Sequence, residues 1–262
     1  MNSKNFVYIL GPCSLESMEL ATNIASELLP CFDEGDEFYF KASFDKANRT
    51  SIKGGRGPGL NESIGIWTEL KKKFPNLRIT TDFHDVNQID HLSHLIDVAQ
   101  IPAFLCRQTD LVCECAKVFK TINIKKGQWL GPNNLNVSID KIKSTNPNCQ
   151  AWITDRGSNF GYHDLFVNFG IVDELRKVYD KVILDCTHST QRSRSVYGVQ
   201  GDPELAKRYF QASSIFNYDG LFSEVHPNPM ASVSDADCAI RLNEVSDLIK
   251  IQKTIRNLKS IC

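Results

Sequence analysis

The sequence predicts a (β/α)8 barrel, with residues 1–262 as a single domain, and three observations carry that expectation. Eight short apolar runs recur along the 262 residues, segments of helical periodicity separate them, and each run begins apolar and ends polar. Strand and helix in alternation call for a parallel sheet, because parallel neighbours need a crossover and the crossover is usually a helix. Eight such units in about 250 residues match the count and size of a closed barrel. A doubly wound open sheet would show the same alternation and is the alternative. No internal repeat, low-complexity tract or Pro/Gly/Ser linker divides the chain.

The runs are, in order, FVYILGPC (6–13), FYFKASF (38–44), RITTDFH (78–84), DVAQIPAFL (97–105), INIKKG (122–127), AWITDRG (151–157), VILDCTH (182–188) and GLFSEVHP (220–227). Each is rich in β-branched and aromatic residues and bounded by turn chemistry, the pattern of a strand. Helical spacing marks LESMELATNIASELL after the first run, IDHLSHLI after the third, LFVNFGIVDELRKVY after the sixth and AIRLNEVSDLIKIQKTI at the C-terminus. Lys71, Lys72 and Lys73 form a short basic patch on a further helix.

Composition narrows the function. A hydrophobic content of 42% can fill a large core. Thirty basic against thirty-one acidic residues leave a net charge of -1 without a long run of one sign, which argues against nucleic-acid and membrane partners. No apolar stretch approaches the roughly 20 residues of a membrane-spanning helix. The N-terminus lacks the basic and apolar segments of a secretion signal, so a cytoplasmic protein is expected. Nine cysteines, an odd number in a chain of this size, are expected to be reduced thiols. Most should be small buried hydrophobes, with Cys113 and Cys115 on different faces of one helix; Cys13 and Cys186 sit at strand ends.

In a (β/α)8 barrel the active site lies at the C-terminal ends of the strands. The run ends carry Cys13; Lys41 and Asp45; Asp82 and His84; Arg107; Asn123 and Lys125; Asp155 and Arg156; Asp185 and His188; and Glu224 and His226. Strand ends are polar in any protein, but Ser, Asn and Gly would serve for that; lysines, arginines, histidines and carboxylates are rarely buried unless paired. His91 and His94 fall on a helix, where a solvated face is expected. Lys41, Lys46, Arg49, Arg107, Lys125 and Arg156 would make a positive funnel in a near-neutral protein. Phosphate suits it, since arginine offers a bidentate fork and lysine a point charge. Six cations exceed the needs of one phosphate, so two or more anionic groups are implied. Cys13, His188, Glu224 and Asp235 form a second set, in which thiolate, imidazole and carboxylates together suit zinc, iron or manganese. Without a local ligand spacing, a buried thiol and a hydrogen-bonded histidine explain them as well.

The motifs GPCSLES, FKASFDKANRTS, GPGL, TTDFHD, QIPAFLCRQTDL, KKGQWL, DRGSNFGY, DCTHSTQ and SEVHPNP followed by SDAD resemble, in order and along nearly the whole chain, the 3-deoxy-D-manno-octulosonate 8-phosphate synthases. The resemblance implies a (β/α)8 barrel that condenses phosphoenolpyruvate with D-arabinose 5-phosphate and water and releases phosphate, on the route to the Kdo sugar of lipopolysaccharide. It implies that Lys46, Lys125 and Arg156, with Gln100 and the backbone N–H of Ala103, hold phosphoenolpyruvate, and that Lys41 belongs to the same substrate-binding set. Asn48, Arg49 and Thr50 then hold the pentose phosphate, Thr50 standing where the family more often has serine. Arg107 would reach the sugar phosphate of an adjacent subunit, in a homotetramer whose contacts include residues 102–104. Lys46, Lys125, His188 and Asp235 are the implied catalytic residues. Family members with cysteine after Gly-Pro on the first strand use a divalent metal ion, and those with asparagine there do not. Cys13, with His188, Glu224 and Asp235, places this chain with the first kind, the metal being zinc, iron, manganese or cobalt.

Two loops depart from the family pattern. After Gln191 the chain reads RSRSVYGVQGDPE where a glycine-rich loop with Ser-Gly-Gly is usual, and after KKGQ the loop that includes GPNNLN differs. Both follow active-site strands and bear on which aldose is the acceptor. A sister synthase for another aldose phosphate is the alternative; the Lys-Pro-Arg-Thr-Ser typical of heptulosonate phosphate enzymes is KANRTS here. A metallohydrolase would want a His-x-His pair on the first strand, which GPC does not offer, and a non-catalytic sugar-phosphate binder would have no need for the Cys, His, Glu and Asp set.

Overall fold

The computed structural model describes residues 5–49, 52–131, 134, 136–159, 164–194 and 198–259. Its centre is a closed barrel of eight parallel strands: β1 (Phe6–Gly11), β2 (Asp36–Lys41), β3 (Ile79–Asp82), β4 (Val98–Ile101), β5 (Thr121–Lys125), β6 (Gln150–Asp155), β7 (Lys181–Asp185) and β8 (Gly220–His226). Each strand pairs with the next, and β8 returns to β1 in a register running from Val7 opposite Gly220 to Gly11 opposite Glu224. The eight apolar runs are the eight strands. The crossovers contain α1 (Met18–Leu28), α2 (Leu60–Lys73), α3 (Ile89–Leu92), α4 (Thr109–Val118), α5 (Val137–Thr145), α6 (Ile171–Arg176), α7 (Pro203–Ile215) and, after β8, α8 (Leu242–Lys259). No described helix is long and apolar enough to cross a membrane.

Both faces of a barrel strand are buried, which is why the runs are continuously apolar rather than alternating. In β1, Val7 and Ile9 point inward and join Tyr39, Val98, Trp152, Ile183 and Phe222 as the barrel filling. Tyr8 and Leu10 point outward into the layer shared with the helices, where the Tyr8 hydroxyl donates to Gln252 Oε1 of α8 at 2.6 Å. Trp152 is stacked edge-on against Tyr39, and Lys181 lies 4.9 Å over its ring, so large side chains fill the N-terminal half of the barrel and leave polar groups to the other half.

Local signals set the helix boundaries. Ser17 caps α1 by accepting from Leu20 N–H, Asp202 caps α7 by accepting from Leu205 N–H, and Lys71, Lys72 and Lys73 occupy the last turn of α2, where the dipole favours cations. His91 is exposed on α3 and His94 exposed just beyond it, and on α4 Cys115 is buried while Cys113 is only half-buried. The segment LFVNFGIVDELRKVY is shorter as a helix than its spacing predicts. Leu165–Phe166 pairs antiparallel with Ser158–Asn159, and the Asn168 side chain accepts from Gly170 N–H, so the helix starts only at Ile171.

Among the glycines of the barrel strands the closest backbone approach is at Gly11, where a Cβ would stand 2.1 Å from the Lys41 carbonyl oxygen. Gly11→Ala must therefore part β1 from β2 at the end that carries the polar groups. It is expected to cost about 3 kcal/mol and to lower Tm by about 6–12 °C in thermal unfolding. Gly35→Ala, with nothing within 4 Å of the added atom, should unfold like the wild type.

Candidate active site

The C-terminal ends of the strands open into a cavity of about 830 Å³. Lys41, Lys46, Asn48, Arg49, Gln100, Ala103, Lys125, Arg156, His188, Glu224 and Asp235 line it, so the structure brings most of the expected residues into one space. Two assignments fall elsewhere. Cys13 sits just beneath the cavity, fully covered, with its thiol 2.9 Å from Asp235 Oδ2. Arg107 is exposed and does not line the cavity: the 3-10 turn Ala103–Leu105 carries the chain outward after β4, and Lys141 Nζ holds the Arg107 carbonyl at 2.6 Å. The funnel of six cations in one chain is thus five. Thr50 lies outside the described residues.

The floor of the cavity is a belt of hydrogen bonds across five neighbouring strands. Lys41 Nζ donates to Ser43 Oγ at 2.7 Å, which donates to Asp82 Oδ2 at 2.5 Å; Gln100 Nε2 donates to Asp82 Oδ1, Asn123 Nδ2 to Gln100 Oε1, and Thr154 Oγ1 to Asn123 Oδ1. Gln100 therefore lies in the floor with its carbonyl already engaged. Ala103 opens the 3-10 turn, where a backbone N–H has no partner within the turn.

Three fully or nearly buried lysines are each matched by an aspartate. Lys41 faces Asp82 at 3.3 Å, Lys125 faces Asp185 at 2.5 Å, and Lys126 faces Asp155 at 3.3 Å while donating to the Gly157 carbonyl. Burial would raise the Asp185 carboxyl, but His188 and Lys125 beside it hold it well below the usual carboxylate range. Burial lowers the Lys125 ammonium, against the pull of Asp185. Burial also disfavours charge on Lys46, yet Cys13, Glu224, Asp82 and Asp235 together raise its pKa, so it stays cationic.

His188 Nδ1–H donates to Asp185 Oδ2 at 2.9 Å, which leaves Nε2 3.4 Å from Glu224 Oε1. Glu224 is fully buried and neither carboxylate oxygen has a hydrogen-bond partner among the described residues. Lys41 Nζ lies 4.0 Å from Oε1, too far to hydrogen-bond it, and a buried carboxylate without a hydrogen bond is costly. The donor atoms of Cys13, Glu224 and Asp235 all lie within 4.8 Å of one another, with burial holding the Cys13 thiol well above its ordinary value. A thiol, a carboxylate without a hydrogen bond, a second carboxylate and a neighbouring imidazole fit a divalent cation, which would give Glu224 a directly bonded partner.

Asp235 also joins the two arginines. Arg49 donates to Ser234 Oγ at 2.6 Å and Ser234 donates to Asp235 Oδ2 at 2.7 Å; Gln191 Nε2 donates to Asp235 Oδ1 at 3.0 Å and Arg156 donates to Gln191 Oε1 at 2.7 Å. The chain Arg49–Ser234–Asp235–Gln191–Arg156 reaches the two carboxylate oxygens from different sides. Ser43, Gln191 and Ser234 were not among the residues expected from the sequence. The only signal for them was their place inside the KASFDK, HSTQ and SDAD motifs, since a single hydroxyl or amide has no pattern of its own. His226, expected on the rim, turns away from the cavity and accepts from Asn228 N–H.

A barrel with cations, a mixed-donor cluster and a polar floor at its C-terminal mouth is the architecture of a phosphate-handling enzyme. The chain belongs to the DAHP synthetase I family, whose profile matches residues 2–260. Among its curated relatives are proteins named 2-dehydro-3-deoxyphosphooctonate aldolase from Fusobacterium nucleatum subsp. nucleatum, 41% identical over 251 residues covering 95% of this chain and 89% of that one, and from Helicobacter hepaticus, 39% identical over 264 residues covering 96% and 97%. A Campylobacter jejuni protein of the same name is 39% identical over 273 residues, 98% of this chain and all of its own length. That name is another for the octulosonate 8-phosphate synthases that the motifs resemble, so the expected kinship is borne out.

The buried Asp185 sets a pH dependence. Its folded pKa is depressed, so the folded chain binds fewer protons than the unfolded one near about pH 4; the stabilisation is fully present above that pH and is lost as pH falls through the folded value. Asp185→Asn leaves Lys125 buried without its counter-charge, which should cost about 3 kcal/mol at pH 7. In urea unfolding from about pH 5 downward the variant should lose stability less steeply than the wild type. Equal acid slopes would show that Asp185 does not contribute.

Proposed function

We propose that this barrel is a transferase that condenses phosphoenolpyruvate with D-arabinose 5-phosphate and water, giving 3-deoxy-D-manno-octulosonate 8-phosphate and inorganic phosphate. The observation that carries the reading is the pair of arginines that reach Asp235 from different sides, Arg49 through Ser234 and Arg156 through Gln191, in a cavity also lined by Lys41, Lys46 and Lys125 and in a family whose relatives are named for the octulosonate phosphate. Two phosphorylated substrates give two anionic groups to bind.

In this reading Lys46, Lys125 and Arg156, with Lys41 and Gln100 in the floor and the Ala103 N–H, seat phosphoenolpyruvate. Asn48, Arg49 and Thr50 seat the pentose phosphate. Carbon 3 of phosphoenolpyruvate attacks the aldehyde, water adds at carbon 2, and the carbon 2 to oxygen bond to phosphate breaks afterwards. Lys46 keeps its charge and offsets the negative charge of the substrates. Lys125, with its pKa lowered by burial, gives up a proton more readily than an ordinary lysine and suits the departing phosphate. Asp185 fixes the His188 ring through Nδ1. Cys13, His188, Glu224 and Asp235 would hold a divalent ion of zinc, iron, manganese or cobalt. When bound, such an ion supplies polarisation of the aldehyde or of water.

The reading extends to a cytoplasmic homotetramer in which Arg107 serves a neighbouring copy. Support for the shared role of Arg107 comes from its standing exposed outside its own cavity, and exposed apolar surface for a neighbouring copy is offered by Phe104 and Trp129, whose ring centroids are 5.9 Å apart.

Phosphate release from phosphoenolpyruvate is expected only when an aldose phosphate is present, with arabinose 5-phosphate the best of a panel of tetrose, pentose and hexose phosphates. A better rate with erythrose 4-phosphate would overturn the acceptor. Arg156→Ala should weaken phosphoenolpyruvate and Arg49→Ala the pentose phosphate, each by about 2 kcal/mol or about thirtyfold in binding titrations. Equal effects of each variant on both substrates would refute the division.

Exhaustive chelation should abolish activity, and Mn²⁺, Fe²⁺, Co²⁺ or Zn²⁺ should restore it. Cys13→Ala should purify with little metal by elemental analysis and be inactive or nearly so. Full activity in metal-free protein would leave Cys13 as a core thiol.

A further inference from the structure

We propose that Glu16 is a positioning residue that fixes the loop carrying Asp235 and the seat of Arg49, and thereby the grip on the aldose phosphate; the identity of that ligand rests on the function proposed above. Glu16 lies three residues beyond Cys13 on the loop that follows β1. Its φ of 26° is in the left-handed region, and among the described non-glycine residues only Asn217 and Asp235 share a positive φ. Such a backbone costs free energy and persists where surrounding contacts over-determine it.

Glu16 has such contacts. Glu16 Oε1 accepts from Val233 N–H at 3.0 Å and lies 3.3 Å from Ser232 Oγ, while Oε2 faces His226 Nε2 at 4.0 Å. The other side of the same residue is also held, because Arg49 donates to the Val233 carbonyl at 2.7 Å. Ser232 in turn donates to the Ser234 carbonyl at 2.8 Å. The segment between the 3-10 turn Pro229–Ala231 and Asp235 has no helix or strand to shape it. It is gripped instead at two points by one short loop, Glu16 at Val233 and Cys13 at Asp235. The adjacency of β1 and β8 puts the two loops side by side. A carboxylate is acceptor-only, and an acceptor is what the Val233 N–H requires; the single Ser232 hydroxyl proton goes to the nearer Ser234 carbonyl. Val233 is 39% exposed, so water can replace the lost bond and the fold survives the loss of Glu16 while the loop's placement does not.

The test compares wild type, Glu16→Ala and Glu16→Gln, the last keeping one acceptor oxygen. In Glu16→Ala, hydrogen exchange of the peptide containing residues 232–235 should speed up by about tenfold with the barrel strands unchanged. By calorimetry the dissociation constant for arabinose 5-phosphate should rise by about tenfold and that for Mn²⁺ by about threefold, with phosphoenolpyruvate within about twofold of wild type. Glu16→Gln should restore all of these. Wild-type exchange at 232–235 in Glu16→Ala, or equal weakening of phosphoenolpyruvate and pentose phosphate, would overturn the proposal. If wild type itself binds no pentose phosphate, the acceptor reading fails, and the exchange and Mn²⁺ measurements still decide on Glu16. Should Glu16→Ala not fold, Glu16→Asp keeps the charge, draws the carboxylate back from Val233 N–H and should speed the same exchange by about threefold; no change would count against the clamp.

Discussion

The constraint on which the upper half of this barrel depends is that charge taken out of water must be matched. Lys41, Lys125 and Lys126 are at most 5% exposed, and each meets a buried or nearly buried aspartate from a neighbouring part of the ring, Asp82, Asp185 and Asp155. An isolated ion there would cost many kcal/mol, and even a good pair only roughly balances the loss of hydration. Apolar residues of the same volume would often make as stable a mouth, and Trp152 and Tyr39 fill the opposite end of the same barrel with apolar rings. The polar mouth is therefore not explained by folding, and its pairing reads as the way a charged site is kept inside a packed protein. Glu224 is the exception that sharpens the point: it alone among these acids has no hydrogen-bond partner among the described residues, next to a thiol and a second carboxylate.

Strand closure does the rest of the assembly. Cys13 and Asp235 are 222 positions apart, yet their loops leave the C-terminal ends of two strands that lie side by side because the sheet closes. The same closure explains why the site could be read only in part from the sequence. Period and turn chemistry are local, so all eight strands were legible, and the shift from apolar to polar within each run showed which end of the barrel holds the chemistry. Partnership is not local. Nothing in the spacing of Lys125 and Asp185, or of Arg156, Gln191 and Asp235, says that they meet; the register of β5, β6 and β7 brings Lys125 opposite Thr154 and Asp155 opposite Leu184, and the pairs follow from it.

The differences between expectation and structure have the same origin. Arg107 counts as a rim cation when the fourth run is taken to end at the rim, but Pro102 ends β4 and the turn after it carries Arg107 out to solvent. LFVNFGIVDELRKVY has helical spacing from end to end, but Leu165 and Phe166 find strand partners in Ser158 and Asn159, and a tertiary pairing outweighs a weak local propensity. Motif resemblance located residues that spacing could not, while leaving unmarked the hydroxyl and amide groups that join them.

Those joining groups determine how the site can behave. Asp235 accepts from Cys13, Ser234 and Gln191, and the last two carry it to Arg49 and Arg156. Charge-assisted bonds of this kind are worth about 1.5–3 kcal/mol each, and a shared acceptor cannot give its full strength to every donor at once. If a phosphate arrives at Arg49, the guanidinium divides its donors between that phosphate and Ser234, and the Ser234 hydroxyl and Asp235 must readjust. The same holds from the side of Arg156 through Gln191. In the reading proposed here the two phosphate stations are therefore not independent: each reports to the carboxylate that would help to hold the metal ion. The left-handed backbone of Asp235, a conformation that aspartate tolerates better than most residues, fixes that carboxylate between them. The coupling runs through one side chain, so its strength is set by how firmly the loop around residue 235 is held in place.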